Sequence, residues 1–299
     1  MKLIRKRSLN LQQTEALFVP LFPGEDARGK LAGLPEPPIG LDHLHLPRGG
    51  DRWWTSLLPA SGVRVFLVQA GKRAGGDTLP LLAGQLLALA REFHLRRGSL
   101  LLDEQPPLSD AELLLLLDFL RLGAYRFDRY KKKRDEVPVR IELVLAGKQR
   151  FPGSLFPRQA LLLDRVDEVR NLVNTPASEL TPNHFSALAQ TLAGGEVSCR
   201  VLRRTELERE KMAGILAVGA GSPVEPALIR LEYAPGQATH TVALIGKGVT
   251  FDAGGLNLKP GSSMEEMKSD MAGAATVLGT ILAARDLLLP RLMSGEIAP

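Results

Sequence analysis

The 299-residue chain holds a single cysteine, Cys199. That excludes an intramolecular disulfide framework and any zinc cluster built on thiolates, and leaves Cys199 as a buried, inert thiol. No apolar run approaches the ~20 residues that a membrane-crossing helix needs; the richest, Leu113 to Leu117, is far shorter. The start, Met-Lys-Leu-Ile-Arg-Lys-Arg-Ser, is basic but lacks the apolar core of a secretory signal. A cytoplasmic protein without a membrane partner is the expectation. Internal repeats and low-complexity tracts are absent. No Lys-Ser/Thr pair follows the small-residue turn Gly219-Ala-Gly-Ser222, so the nucleotide-binding loop pattern is not met. Of the five histidines, His43 and His45 alternate as two ligands on one strand face could, but Leu44 and Leu46 point to a strand face or loop instead. His94, His184 and His240 have no partner pattern, and Trp53-Trp54 reads as packing.

What remains is an ordinary globular composition, 44% hydrophobic and 24% charged, in a chain long enough for two domains with real cores. Charge is unevenly divided: residues 1–159 carry a net +8 and residues 160–299 a net −3, within a formal +5. The densest basic cluster, Lys131-Lys-Lys-Arg134, is followed at once by Asp135 and Glu136. It therefore reads as a solvated loop, and nucleic-acid binding is not expected. In the first half, Arg64 to Val68 and Pro138 to Leu145 have strand character. Leu81 to Leu95 and Asp110 to Leu122 read as helices, the second capped by Ser109 or Asp110. The Pro/Gly-rich stretch from Pro20 to Gly50 suggests surface loops, and Phe151 to Pro157 a linker. An amphipathic helix over Leu161 to Leu172 then joins the halves. The expected fold class is α/β. A mixed α/β amino-terminal domain (1–157) connects through a linker helix (158–174) to an incomplete α/β/α catalytic domain (175–299).

The chemistry concentrates in residues 246–279. Val242 to Ile245 is a continuous apolar run, as in a strand buried on both faces of an α/β sheet. Lys247 and Asp252 then fall at or just past its C-terminal end, where open α/β sheets place ligand sites. Gly246, Gly248, Gly254 and Gly255 permit tight backbone paths. Ser262 or Ser263, three residues before Glu265 or Glu266, fits a capping box that opens a helix, with Asp270 about one turn inside it. Small residues from Ala272 to Ala275 would let that helix lie close and carry Asp270 towards Lys247 and Asp252. Carboxylates converging in this way suit hard divalent cations. A lysine can join them as the neutral amine, its pKa lowered by the ion, while another stays protonated to stabilise an oxyanion. The spacing leaves open whether Lys247 or Lys259 takes each part.

This segment resembles the active-site signature of the leucine (cytosol) aminopeptidases, which cleave N-terminal residues with two divalent metal ions. The resemblance implies that Lys247 is the neutral ligand of the tightly bound metal, that Asp252 bridges both metals and that Asp270 ligates the tight site. It implies that Lys259 is catalytic, polarising the scissile carbonyl, and that Met267 lines the pocket for the substrate's first side chain. Zinc or manganese are the implied metals, activating a water and orienting the peptide's α-amino group. Further segments are similar to the same family: Asn171-Leu-Val-Asn-Thr-Pro-Ala177 with Leu180-Thr-Pro-Asn183, then Met212 to Ser222, Leu228 to Tyr233 and, more weakly, Leu122 to Phe127. Peptide substrates and a homo-oligomer, a hexamer in most members, are also implied.

One departure stands against these matches. The family's second signature, Asn-Thr-Asp-Ala-Glu-Gly-Arg, does not occur, and Asp270 is followed by only 29 residues. That signature supplies two further carboxylate ligands and the arginine that holds a bicarbonate. A truncation relative to the family is the expectation, with weak metal binding, impaired hydrolysis and an open apolar sheet edge. The competing expectation is a non-catalytic remnant whose basic amino-terminal domain binds a protein partner or nucleic acid.

Overall fold

Two compact units account for the chain, Met1–Gln159 and Ala160–Pro299. The computed structural model describes residues 2–6, 9–22, 24–44, 53–70, 78–102, 108–132, 140–145, 155–234 and 240–293.

The first unit is a six-stranded sheet formed by β1 (Lys2–Lys6), β2 (Ala16–Leu21), β3 (Trp53–Leu57), β4 (Arg64–Gln69), β5 (Arg97–Leu102) and β6 (Arg140–Leu145). The strand order is β1-β6-β5-β2-β4-β3, parallel throughout except for the edge strand β3. Among the described residues, three helices lie wholly in this unit: α1 (Ala27–Ala32), α2 (Thr78–Glu92) and α3 (Asp110–Ala124). Every residue of β2 is buried, as expected of a central parallel strand covered on both faces. Ala16 and Phe18 join one core with Phe66, Leu82, Leu86, Leu113 and Leu116. Leu17, Val19 and Leu21 join the opposite one with Leu31, Val65 and Leu67, following the two-residue side-chain period. Pro20, unusual in a central strand, lies opposite Val68, while the pairing with β5 covers only Ala16 to Phe18.

The expected strands over 64–68 and 138–145 appear as β4 and β6, and the two expected helices as α2 and α3. The α3 cap is Ser109, in a reciprocal capping box with Glu112. Trp53 packs edge-on against Phe66 and Phe93, and Trp54 packs on the opposite face. The loop reading of Pro20 to Gly50 is corrected. That stretch includes the end of β2, then α1, which is capped by Asp26, and a 3-10 turn at Leu41–His43. A capping side chain was enough to start a short helix among the glycines and prolines. His45, Lys133, Arg134 and most of the expected linker lie outside the described residues.

The second unit contains α4 (Leu155–Asn174, most of it), α5 (Pro182–Gln190), β7 (Val197–Leu202), α6 (Arg204–Arg209), α7 (Ala213–Gly219), β8 (Leu228–Tyr233) and α8 (Ala272–Met293). β7 and β8 form an antiparallel pair. The core gathers Leu180, Phe185, Ala189, Met271, Ala275 and Leu278, with Val169 and Leu172 of α4 packed against them. Gly279 lets α8 pass close to α4, since a Cβ there would sit 2.5 Å from Val169 Cγ2.

The strand expected at Thr241 to Ile245 is not formed. Residues 240–249 have no ladder, and Val242 and Ile245 are 81% and 94% exposed. Strand character in a sequence reports the ability to pair and be covered. Among the described residues no strand pairs with this run, and Leu244 is only half covered.

Candidate metal centre

The site is built by a loop, a pair of 3-10 turns and the start of α8. Two backbone hydrogen bonds set its register. Ala274 N donates to Lys247 O at 2.8 Å, and Asp252 N donates to Met267 O at 3.1 Å. They bracket Asp270 between the two points at which residues 247–252 touch the turn and helix. The first bond needs an unusually close approach. A Cβ on Gly246 would meet Gly273 O at 2.4 Å and Ala274 Cα at 2.7 Å. Gly254 is required for conformation as well as space, with φ of +93° and only 2.4 Å between a Cβ and Asn257 O.

Within this frame the four charged residues meet. Lys247 Nζ lies 2.6 Å from Asp270 Oδ2 and 3.9 Å from Asp252 Oδ2, and Lys259 Nζ lies 2.9 Å from the same Asp252 oxygen. Gly254 N donates to Asp252 Oδ1 at 2.9 Å. The result is an alternating chain, Lys259–Asp252–Lys247–Asp270, in which two ammonium groups neutralise two carboxylates. The Lys259 hydrogen bond, followed by the Gly254 N–H, holds the Asp252 carboxyl below its usual range. The close Asp270 carboxylate raises the Lys247 ammonium above its own.

The helix start differs from expectation. No capping box forms at Ser262 or Ser263; instead there are 3-10 turns at Gly261–Ser263 and Met267–Met271, and α8 begins at Ala272. Asp270 thus precedes the helix rather than sitting a turn inside it. The Met267 carbonyl is held by Asp252 N, and Met267 and Met271 are both buried, which favours the tighter turn. Met267 is 2% exposed, so its side chain is packed inside this unit. The sequence reading treated Gly246 as a turn residue and Gly273 as a small helix residue; it missed that they touch each other. A small residue on each side of a suspected contact is the signal that could have paired them.

The donor set fits a divalent cation. Asp270 Oδ2 is enclosed, and its contact with Lys247 has the distance of an ion pair without the angles of a directed hydrogen bond. An enclosed anionic oxygen without a directed donor is suited to a cation. The lysine beside it becomes a nitrogen donor once it loses its proton. Among the described residues no three His, Cys, Asp or Glu side chains cluster as metal ligands; a cation held here would draw on the amine as well as the two carboxylates.

Residues 167–298 match the family model described as the cytosol aminopeptidase family, catalytic domain. The chain belongs to the cytosol aminopeptidase family. A probable cytosol aminopeptidase of Syntrophotalea carbinolica is 39% identical over 246 residues, covering 78% of this chain and 49% of that protein. Among solved structures, the bottromycin maturation enzyme BotP in complex with Mn is similar at 27% identity and a TM-score of 0.67, over 93% of this chain and 57% of that one. A tomato leucine aminopeptidase mutant, at 22% identity, shares the fold with a TM-score of 0.72, over 96% of this chain and 60% of that one. The chain spans about half the length of the curated relative from Syntrophotalea. No helix among the described residues is long and apolar enough to cross a membrane.

Proposed function

We propose that this chain carries part of the metal site of a leucyl-type aminopeptidase, which releases N-terminal residues from peptides. The observation that carries the reading is the convergence of Lys247, Asp252, Lys259 and Asp270 within one ion-pair chain. Family membership supports it. In this reading, residues 175–299 are catalytic, residues 158–174 connect, and residues 1–157 form the amino-terminal domain. Lys247, Asp252 and Asp270 hold a pair of divalent cations, manganese or zinc. The BotP relative's manganese favours the first.

When bound, such cations activate a water and orient the substrate's α-amino group. Lys259 then stays protonated, and its ammonium stabilises negative charge developing on the scissile carbonyl oxygen. Its present contact with Asp252 shows that Nζ reaches the edge of the carboxylate cluster. Met267 contributes an apolar wall to the pocket for the first side chain. Peptides are the substrates, cytoplasm is the proposed location, and a homo-oligomer the proposed assembly.

A polypeptide of these 299 residues offers three protein ligands to two cations, fewer than an ordinary shell, and no arginine site for bicarbonate. It should therefore bind Mn2+ weakly and hydrolyse a leucyl anilide poorly. Equilibrium dialysis of the purified chain, with D252N and D270N beside it, tests this. Binding lost in both variants is expected; binding indifferent to both overturns the site. Turnover at normal family rates would overturn the impairment. The net +8 of residues 1–159 favours a second reading, a non-catalytic chain that binds an acidic partner or nucleic acid. Salt-sensitive capture of duplex DNA by a chain that binds no metal would select it.

A further inference from the structure

The 3-10 turn at Met267–Met271 bears Asp270, yet five residues of 3-10 backbone hold themselves poorly, because their hydrogen bonds are badly aligned. Its placement must come from outside the turn. Two anchors are evident at its ends: the buried side chains of Met267 and Met271, and the Asp252 N–Met267 O bond. A third is unassigned. Lys268 Nζ, next to Met267 and half-buried, donates to Asn174 O at 2.9 Å, across 94 residues of sequence. Asn174 is the last residue of α4, so its carbonyl belongs to the set that a helix leaves without an internal partner. A cation at that end is favoured by the helix dipole as well as by the hydrogen bond. α4 is packed into this unit's core through Val169 and Leu172. Lys268 thus ties the Asp270-bearing turn to a rigid element that supplies no ligand of its own.

We propose that Lys268 is a positioning residue: through Asn174 O it fixes the turn so that Asp270 faces Lys247. The competing role is a plain helix cap, worth stability to α4 and nothing to Asp270. The proposal shares its site with the functional reading above, but its test needs neither metal nor activity. A water-soluble carbodiimide joins a lysine amine to a carboxylate only where the two are in contact. Applied to the metal-free chain, it should link Lys247 to Asp270 and Lys259 to Asp252, each read by mass spectrometry after digestion with a protease that does not cut at lysine.

In K268M the Lys247–Asp270 link should fall about tenfold or more relative to the Lys259–Asp252 link, the loss expected for one charged hydrogen bond. K268R, which keeps a donor of similar reach, should retain it. An unchanged ratio in K268M overturns the proposal even if the melting temperature falls, because that is the behaviour of a cap alone. Equal losses in K268R and K268M, or no Lys247–Asp270 link in the unaltered chain, overturn it as well. If K268M does not fold, K268Q is read by the same ratio. Mn2+ dialysis of the unaltered chain tests the functional reading separately.

Discussion

Substituting Gly246 by alanine probes the contact on which the site depends. The added Cβ would lie 2.4 Å from Gly273 O, 2.6 Å from Gly273 C and 2.7 Å from Ala274 Cα. All three are backbone atoms at the start of α8, so no side chain can swing aside. The chain must separate residues 246–248 from 273–274, which strains both and stretches the Ala274 N–Lys247 O bond. Overpacking of this kind costs about 1–3 kcal/mol, and a lost backbone hydrogen bond about 1 kcal/mol more. The sum, about 2–4 kcal/mol, corresponds to about 1–3 M in urea midpoint for a unit with a slope near 1.5 kcal/mol per M. The composition supplies separate probes. Both tryptophans, Trp53 and Trp54, lie in the first unit, whereas the lone thiol, Cys199, lies on β7 in the second. Cys199 is half-buried against this unit's core, and burial raises its thiol above its usual range, so it labels faster once its unit opens. G246A should lower the urea midpoint for Cys199 labelling and leave the tryptophan fluorescence midpoint unchanged. G214A is the control. Gly214 lies in α7 with nothing within 4 Å of an added Cβ, and alanine there should stabilise by about 0.4–1 kcal/mol. A labelling midpoint for G246A indistinguishable from the unaltered chain would refute the close-approach argument.

Three further outcomes are expected. Glu36 accepts hydrogen bonds from the backbone of Ala60 and Ser61, and its carboxyl is held below its ordinary value of 4.5, chiefly by the Ser61 side chain. A lowered folded value adds stability that is present above 4.5 and lost as pH falls through that folded value; E36Q should flatten the acid side of the tryptophan-detected stability profile, and an unaltered profile would contradict this. Phe66 is fully buried, with ring centroids 5.4 Å from Phe18 and 5.0 Å from Phe93. F66A should cost about 3–5 kcal/mol by urea unfolding, and a loss below 1 kcal/mol would mean that the site collapses freely. K259M should leave Mn2+ dialysis of the chain unchanged while removing whatever leucyl anilide hydrolysis it shows; lost metal binding would instead make Lys259 a ligand.

The sequence by itself determined a good deal. Residue spacing from Lys247 to Asp270 was enough to propose a cation site, because the types and intervals are too particular for a generic core. Alternation and capping placed β4, α2 and α3, since those elements are set by local pattern, and Ser109 with Glu112 is a local device. β1, with its Lys2 and Lys6 ends, and β2, which contains Pro20, carry poor local signals and exist because neighbours pair with them. The run from Val242 to Ile245 is the converse, with ideal local character and no ladder. Only tertiary structure decided that Lys259 pairs with Asp252 while Lys247 pairs with Asp270, that Asp270 sits in a 3-10 turn ahead of α8, and that Lys268 reaches Asn174. Those depend on contacts between residues more than a helical turn apart along the chain, or between backbone atoms whose approach depends on a missing Cβ. Periodicity and spacing record which side a residue faces, but not what lies opposite it.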